Sequence, residues 1–102
     1  MKTLYNQRDP KEWEQFLDLL KQAVSEDKLE PLFSMFLTAD ERGSLGLRLQ
    51  IVQSLLKGDV SQREIQQNLN TSAATITRGS NMLKTLDPNF LQWVNAKLNG
   101  MK

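Results

Sequence analysis

The segment "SQREIQQNLNTSAATITRGSNMLK", Ser61 to Lys84, decides how the chain is read. It opens on a capping-box pattern, Ser61 followed by Glu64 at the third helical position. Ile65 and Leu69 then mark the inward side of a helix of about seven residues. "NTS" breaks that helix. Asn70 tolerates the left-handed backbone of a tight turn, and Ser72 can cap a second helix. That second helix is expected from Ala73 to about Leu86, with Ile76 and Leu83 facing inward. The remaining side chains are small or polar, and three cations, Arg63, Arg78 and Lys84, stand among them against one acid, Glu64.

A short helix, a turn of three or four residues and a second helix form a helix-turn-helix. In such a pair the second helix lies in the DNA major groove with its N-terminal residues at base edges. Ala73, Ala74, Thr77 and Asn81 are small or polar and fall away from the inward stripe. Small residues permit close approach of the backbone, and threonine can meet a base or a phosphate. Gln62 and Arg63 begin the first short helix, where a helix N-terminus favours phosphate. A solvated helix face is the plainer reading of any one of these residues. Their grouping around a turn of this length favours DNA.

The flanking sequence reads as further capped helices. "DPKE" offers Asp9 as N-cap, Pro10 at the first position and Glu12 at the third, so a helix from about Pro10 to Ser25 is expected, stopped by "SEDK". Leu29 to Leu37 reads as about two turns. "TADE" repeats the capping box with Thr38 and Glu41, and the third helix runs to about Lys57, where Gly58 supplies a left-handed C-cap. Leu45, Leu49, Val52 and Leu56 form one apolar stripe on it, and Leu47, Ile51 and Leu55 a second. Two stripes leave little solvated face, and a partner subunit is the simplest cover. "DPN" starts a last helix with Asp87 as cap, carrying Phe90, Trp93, Val94 and Leu98. Trp13, Phe16, Phe90 and Trp93 are expected in the core. No strand pattern or internal repeat appears, so the fold class is all-α with six helices.

With 102 residues the chain suggests one domain, residues 1–102, of a size at which oligomerisation is a common aid to stability. It has neither cysteine nor histidine, which removes disulfides, thiolate chemistry, the commonest general base and the commonest metal ligand. No catalytic or metal-binding residue is assigned, and no Gly-rich phosphate loop is present; "GSLG", Gly43 to Gly46, falls inside a helix. No run of about 18 apolar residues spans a membrane, and "MKTLYNQRDPKEW" lacks the apolar core of a signal peptide, so a cytoplasmic protein is expected. The charge is uneven. Residues 1–42 hold six Lys or Arg against nine Asp or Glu, whereas residues 43–102 hold seven against three. The second half therefore suits a polyanion, although scatter over a solvated surface would look the same.

"QREIQQNLNTSAATITRGSN" resembles the DNA-reading segment of the tryptophan repressor family, with "ATITRGSN" the most specific part. "LTADERGSLGLRLQIV" resembles the segment that walls the family's ligand pocket, "EWEQFLDLLK" its first helix and "LQWV" its last. The resemblance covers nearly the whole chain. It implies an intertwined homodimer of six-helix chains with a helix-turn-helix head at about 61–86. It implies L-tryptophan as corepressor, with no other cofactor, and double-stranded operator DNA as partner. Thr38 and Arg48 match positions that hold the ligand carboxylate and stack on the indole, and Arg78 matches the second flanking arginine. A guanidinium plane packs well on an indole face. Backbone carbonyls at Met35 and Leu37, supplied by the dimer partner, would accept from the ligand ammonium, and Gly79 and Met82 complete the set. Without the resemblance, Arg48 reads as a surface ion pair with Asp40 or Glu41. Family DNA contacts match Gln62, Arg63, Ala73, Ala74, Thr75, Thr77 and Lys84.

There are three departures. Met82 stands where the family often has Ser, Asn70 where the turn often has Gly, and Ala73 where a larger aliphatic residue is found. Met82 offers little as donor or acceptor. The resemblance thus implies an L-tryptophan-dependent repressor of tryptophan biosynthesis genes. A DNA-binding protein of the same fold with weakened or altered ligand control is the alternative. A helical interaction module without nucleic acid is a third reading, and an enzyme the weakest.

Overall fold

The computed structural model describes residues 8–100. Six helices and no strand occur among them: α1 Pro10–Ser25, α2 Leu29–Phe36, α3 Ala39–Lys57, α4 Gln62–Leu69, α5 Ala73–Leu83 and α6 Pro88–Asn99. They fall into two compact units, one ending at Thr38 and one beginning at Ala39. The reading that "MKTLYNQRDPKEW" lacks the apolar core of a signal peptide falls largely on residues 1–7, outside the described residues.

In the first unit α1 starts where the sequence places it. Asp9 Oδ1 accepts from the Lys11 backbone at 2.9 Å, and Pro10 occupies the first position. The reciprocal half of the expected capping box does not form. Glu12 instead takes two bonds of 2.9 Å from the Arg8 guanidinium. A guanidinium offers a carboxylate two charge-assisted bonds, against one from a backbone N–H. At the other end Asp27 turns left-handed, at φ 59°, and Lys28 N donates to Ala23 O at 2.7 Å. α2 stops one residue short of the expected Leu37, which is extended and caps it. Ala23 and Leu32 are the buried side chains here, and Phe16 meets Phe36 edge to face at 5.4 Å.

The second unit is built on α3. Ile51 of α3, Ile65 of α4 and Ile76 of α5 are at most 2% exposed and form one cluster, with Leu47, Leu55, Val60 and Leu69 around it. Of the two stripes on α3, this is the one carried by Leu47, Ile51 and Leu55. Gly58 ends α3 at φ 71° and donates to Ser54 O at 3.1 Å. α6 has no fully buried residue. Amide side chains tie it to α3: Gln53 Nε2 donates to Leu98 O at 3.0 Å, and Asn99 Nδ2 to Gln53 O at 3.1 Å. Asp87 caps α6 by position but makes no side-chain cap bond.

The cap logic of Ser61 is complete. Ser61 Oγ accepts from Glu64 N at 3.1 Å, and Ser61 N donates to Glu64 Oε1 at 3.0 Å. Asn70 sits at φ 53°, ψ 53°, and Thr71 N closes the turn on Gln66 O at 3.1 Å. Ser72 Oγ then accepts from Thr75 N at 3.1 Å and starts α5. α5 ends at Leu83, three residues before the expected Leu86. Thr85 explains this, because its hydroxyl donates to Met82 O at 2.7 Å while its backbone N–H takes the same carbonyl at 3.1 Å. A hydroxyl that competes for a helix carbonyl favours a turn, and Pro88 forces Asp87 out of helical geometry.

The aromatic residues correct the sequence reading. Trp13 is 62% exposed, Phe90 49% and Trp93 58%, and only Phe16 of the four is half-buried. Phe90 and Trp93 stack on each other at 6.0 Å, and Lys97 lies over Trp93 at 5.7 Å. Leu45 and Leu49, on the other stripe of α3, are likewise about half exposed. Helical spacing identifies an apolar face; it does not say whether the same chain covers it.

Truncating Ile65 to alanine removes a fully buried side chain from the contact of three helices. Ile65→Ala is expected to cost about 3 kcal/mol of stability in denaturant unfolding, and Ser61→Ala about 1 kcal/mol through loss of the cap.

Candidate functional site

α5 presents two faces. Thr75, Arg78, Gly79 and Met82 are spaced three, four and seven residues apart and share one side of it. Ser44, Leu47, Arg48 and Ile51 repeat that spacing on α3. These two stripes, with Val52 and Leu83, enclose a cleft of about 550 Å³. Gly79 sets how close the helices come. A Cβ there would lie 3.1 Å from Ile51 Cγ2 and 3.8 Å from Leu55 Cδ1.

The cleft has two guanidiniums and no acidic residue in its lining. Arg48 forms no ion pair among the described residues, so the plainer reading, a pair with Asp40 or Glu41, is not what the structure has. Arg78 is exposed, and its Nη2 donates to Thr75 Oγ1 at 3.4 Å. Leu47, Ile51, Val52 and Leu83 supply apolar wall. Uncompensated positive charge beside apolar wall suits a flat organic anion. Met82 is 63% exposed on the rim, its sulfur 3.9 Å from the Thr85 hydroxyl.

The opposite face belongs to α4, the turn and α5. Gln62, Arg63, Ala73, Ala74, Thr77 and Lys84 are all exposed. Gln62 Nε2 reaches Ser80 Oγ at 3.4 Å and links α4 to α5. Beneath this surface Ile65 and Ile76 fix the two helices on α3. Thr75 is the exception. It is half-buried and borders the cleft, so it does not stand only with the outward residues among which the sequence reading puts it. Ser44, Leu47 and Ile51 could have been found from the sequence, because with Arg48 they keep the same three, four and seven spacing that Thr75, Arg78, Gly79 and Met82 keep.

Residues 11–98 match the family described as Trp repressor protein. A "Trp operon repressor homolog" of Haemophilus influenzae (strain PittEE) is 55% identical over 96 residues, 94% of this chain and 95% of that protein. Proteins of the same description from Pasteurella multocida (strain Pm70) and Mannheimia succiniciproducens are 53% and 52% identical, again over 94% of this chain, and over 94% and 95% of their own lengths. The chain belongs to the Trp repressor family. Its family is one of transcriptional repressors rather than enzymes.

For a Trp repressor family member, the sequence-derived ligand set divides. Arg48, Arg78, Gly79 and Met82 come together in the cleft. Met35, Leu37 and Thr38 belong to the first unit. Met35 is exposed at the end of α2 and borders a separate hollow of about 270 Å³ between α1 and α2.

Gly79 is the position where the cleft and the core depend on each other. Gly79→Val would drive a branched side chain onto Ile51, one of the three fully buried side chains of the core. A loss of about 2 kcal/mol is expected from overpacking, read as a lower thermal midpoint in circular dichroism.

Proposed function

We propose that this protein is an L-tryptophan-dependent transcriptional repressor that binds operator DNA of tryptophan biosynthesis genes through α4 and α5. One observation carries the reading. The cleft that suits a flat anion and the exposed polar surface that suits DNA are two faces of one helix, with Arg78 on the first and Thr77 on the second. The indole would lie against Arg48 and Arg78, with Gly79 leaving it room, and the carboxylate would meet the guanidiniums and Thr38. Gln62, Arg63, Ala73, Ala74, Thr75, Thr77 and Lys84 would contact bases and phosphates. Relatives described as Trp operon repressor homologs support the choice of ligand and operator. Few direct base bonds are needed, since the tryptophan repressor itself serves as the general example of a largely water-mediated DNA interface.

The active form is a homodimer, in which residues 1–102 act as one repressor domain. Leu45, Leu49, Trp13, Phe90 and Trp93 expose apolar surface that a second copy would cover. The partner's Met35 and Leu37 carbonyls would then complete the site for the ligand ammonium. No helix among the described residues is long and apolar enough to cross a membrane. A cytoplasmic location fits a repressor. Met82 favours one second reading, a DNA-binding protein of the same fold whose ligand control is weakened or altered. It sets an exposed thioether, a poor hydrogen-bonding group, on the cleft rim.

Operator affinity measured with and without saturating L-tryptophan separates these readings: repression needs a rise with ligand, and the alternative gives little or none. Affinity should also fall steeply with salt, because phosphate contacts release counterions. Arg78→Ala is expected to weaken L-tryptophan binding about tenfold in calorimetry, whereas Thr77→Ala weakens operator binding about tenfold and spares the ligand. Equal loss of ligand in both would reject the division of cleft from groove. Sedimentation equilibrium is expected to give twice the monomer mass of 11.7 kDa.

A further inference from the structure

Thr75 belongs to both faces of α5. Its side chain borders the cleft beside Arg78, and it stands in the first turn of α5, the end that meets DNA in the proposed function. Its oxygen joins two neighbours. Arg78 Nη2 donates to Thr75 Oγ1 at 3.4 Å, and Thr75 Oγ1 lies 2.8 Å from Ser72 Oγ. Ser72 Oγ also accepts from Thr75 N at 3.1 Å, the cap bond that starts the helix. A polar chain therefore runs from a cleft guanidinium to the helix cap.

The two links differ in strength. A separation of 2.8 Å is that of a full hydroxyl–hydroxyl bond, whereas 3.4 Å is long for N–H···O, which centres on about 2.9–3.0 Å. The guanidinium link is the one that changes most readily. Arg78 is exposed and forms no ion pair among the described residues, so its long side chain is free to leave Thr75. A flat anion stacked on the guanidinium removes that freedom. Thr75 has one proton and two lone pairs. Accepting from the cationic guanidinium on one lone pair polarises the Thr75 hydroxyl and favours its donating to Ser72 Oγ over accepting from it. The Ser72 proton then turns outward at the helix N-terminus, where a phosphate is favoured. Without Arg78, either hydroxyl can be the donor.

We propose that Thr75 is a positioning residue that couples the occupant of the cleft to the DNA-facing end of α5, through Arg78 on one side and Ser72 on the other. The inference rests on the reading of the cleft as the L-tryptophan site and of α5 as the DNA-contacting helix. The ligand acts by ordering Arg78, which favours one of two hydroxyl arrangements at the cap. That is the differential interaction a ligand needs in order to shift an equilibrium.

The test is the ratio of operator affinities with and without L-tryptophan, on the full chain. The probe is a duplex from the control region of the tryptophan biosynthesis genes, with ligand saturation set by calorimetry for each variant. Thr75→Val keeps the branched shape and leaves the Ser72 bond to the backbone of residue 75 in place, so the helix keeps its cap. Thr75→Ser keeps the hydroxyl. In Thr75→Val the ligand-induced gain is expected to fall about tenfold, within the usual span of coupling between sites; in Thr75→Ser it should stay within about threefold of the parent chain. A merely structural role would weaken operator binding alike in both conditions and leave the ratio unchanged. An unchanged ratio in Thr75→Val, or an equal loss in Thr75→Ser, overturns the coupling alone. Absence of any ligand gain in the parent chain overturns the coupling together with the function it rests on.

Discussion

The close approach of α5 to α3 at Gly79 sets where both arginines of the cleft stand. A glycine on α5 lets that helix settle against Ile51 with no Cβ in between. Ile76, three residues earlier on α5, joins Ile51 and Ile65 in a cluster of fully buried side chains. Small residues permit such closeness, and interiors packed at crystal density then hold the helices at a defined separation. Arg48 and Arg78 are carried on the edges of this contact, so the width of the cleft follows from core packing.

Electrostatics follows from the same arrangement. The apolar wall contributes no counter-charge to the cleft, and no acid on α3 or α5 lines it. Two guanidiniums lining one cleft repel each other, and an anion bound there relieves that repulsion. One residue further round α5, Thr77 stands exposed. A helix advances about 100° per residue, so neighbours in sequence fall on different faces. That is how one short helix can serve a ligand and a polyanion.

Neither unit covers all of its own large apolar side chains. α6 buries no residue fully and is tied to α3 by the amides of Gln53, Asn95 and Asn99. Hydrogen bonds of this kind orient a helix, but each contributes only about 1 kcal/mol net. Phe90 and Trp93 remain half open to water, and so do Leu45 and Leu49. A second copy is the proposed cover, and it would convert this exposed surface into the core that a small chain otherwise lacks.

Helix starts and stops were legible in the sequence because they depend on atoms within a few residues. Ser61 with Glu64, Asn70, Ser72, Pro10, Gly58 and Pro88 all act at the positions expected of them. Local competition also explains the local misses. Glu12 turned to Arg8, and Thr85 ended α5 early. The family, too, was readable from "ATITRGSN" and its surroundings. Three things were decided only in the tertiary structure: which stripe of α3 is covered by α4 and α5, that Thr75 borders the cleft, and that Trp13, Phe90 and Trp93 stay exposed. Each depends on surfaces far apart along the chain. Periodicity reports which residues share a face, and only packing decides what that face meets.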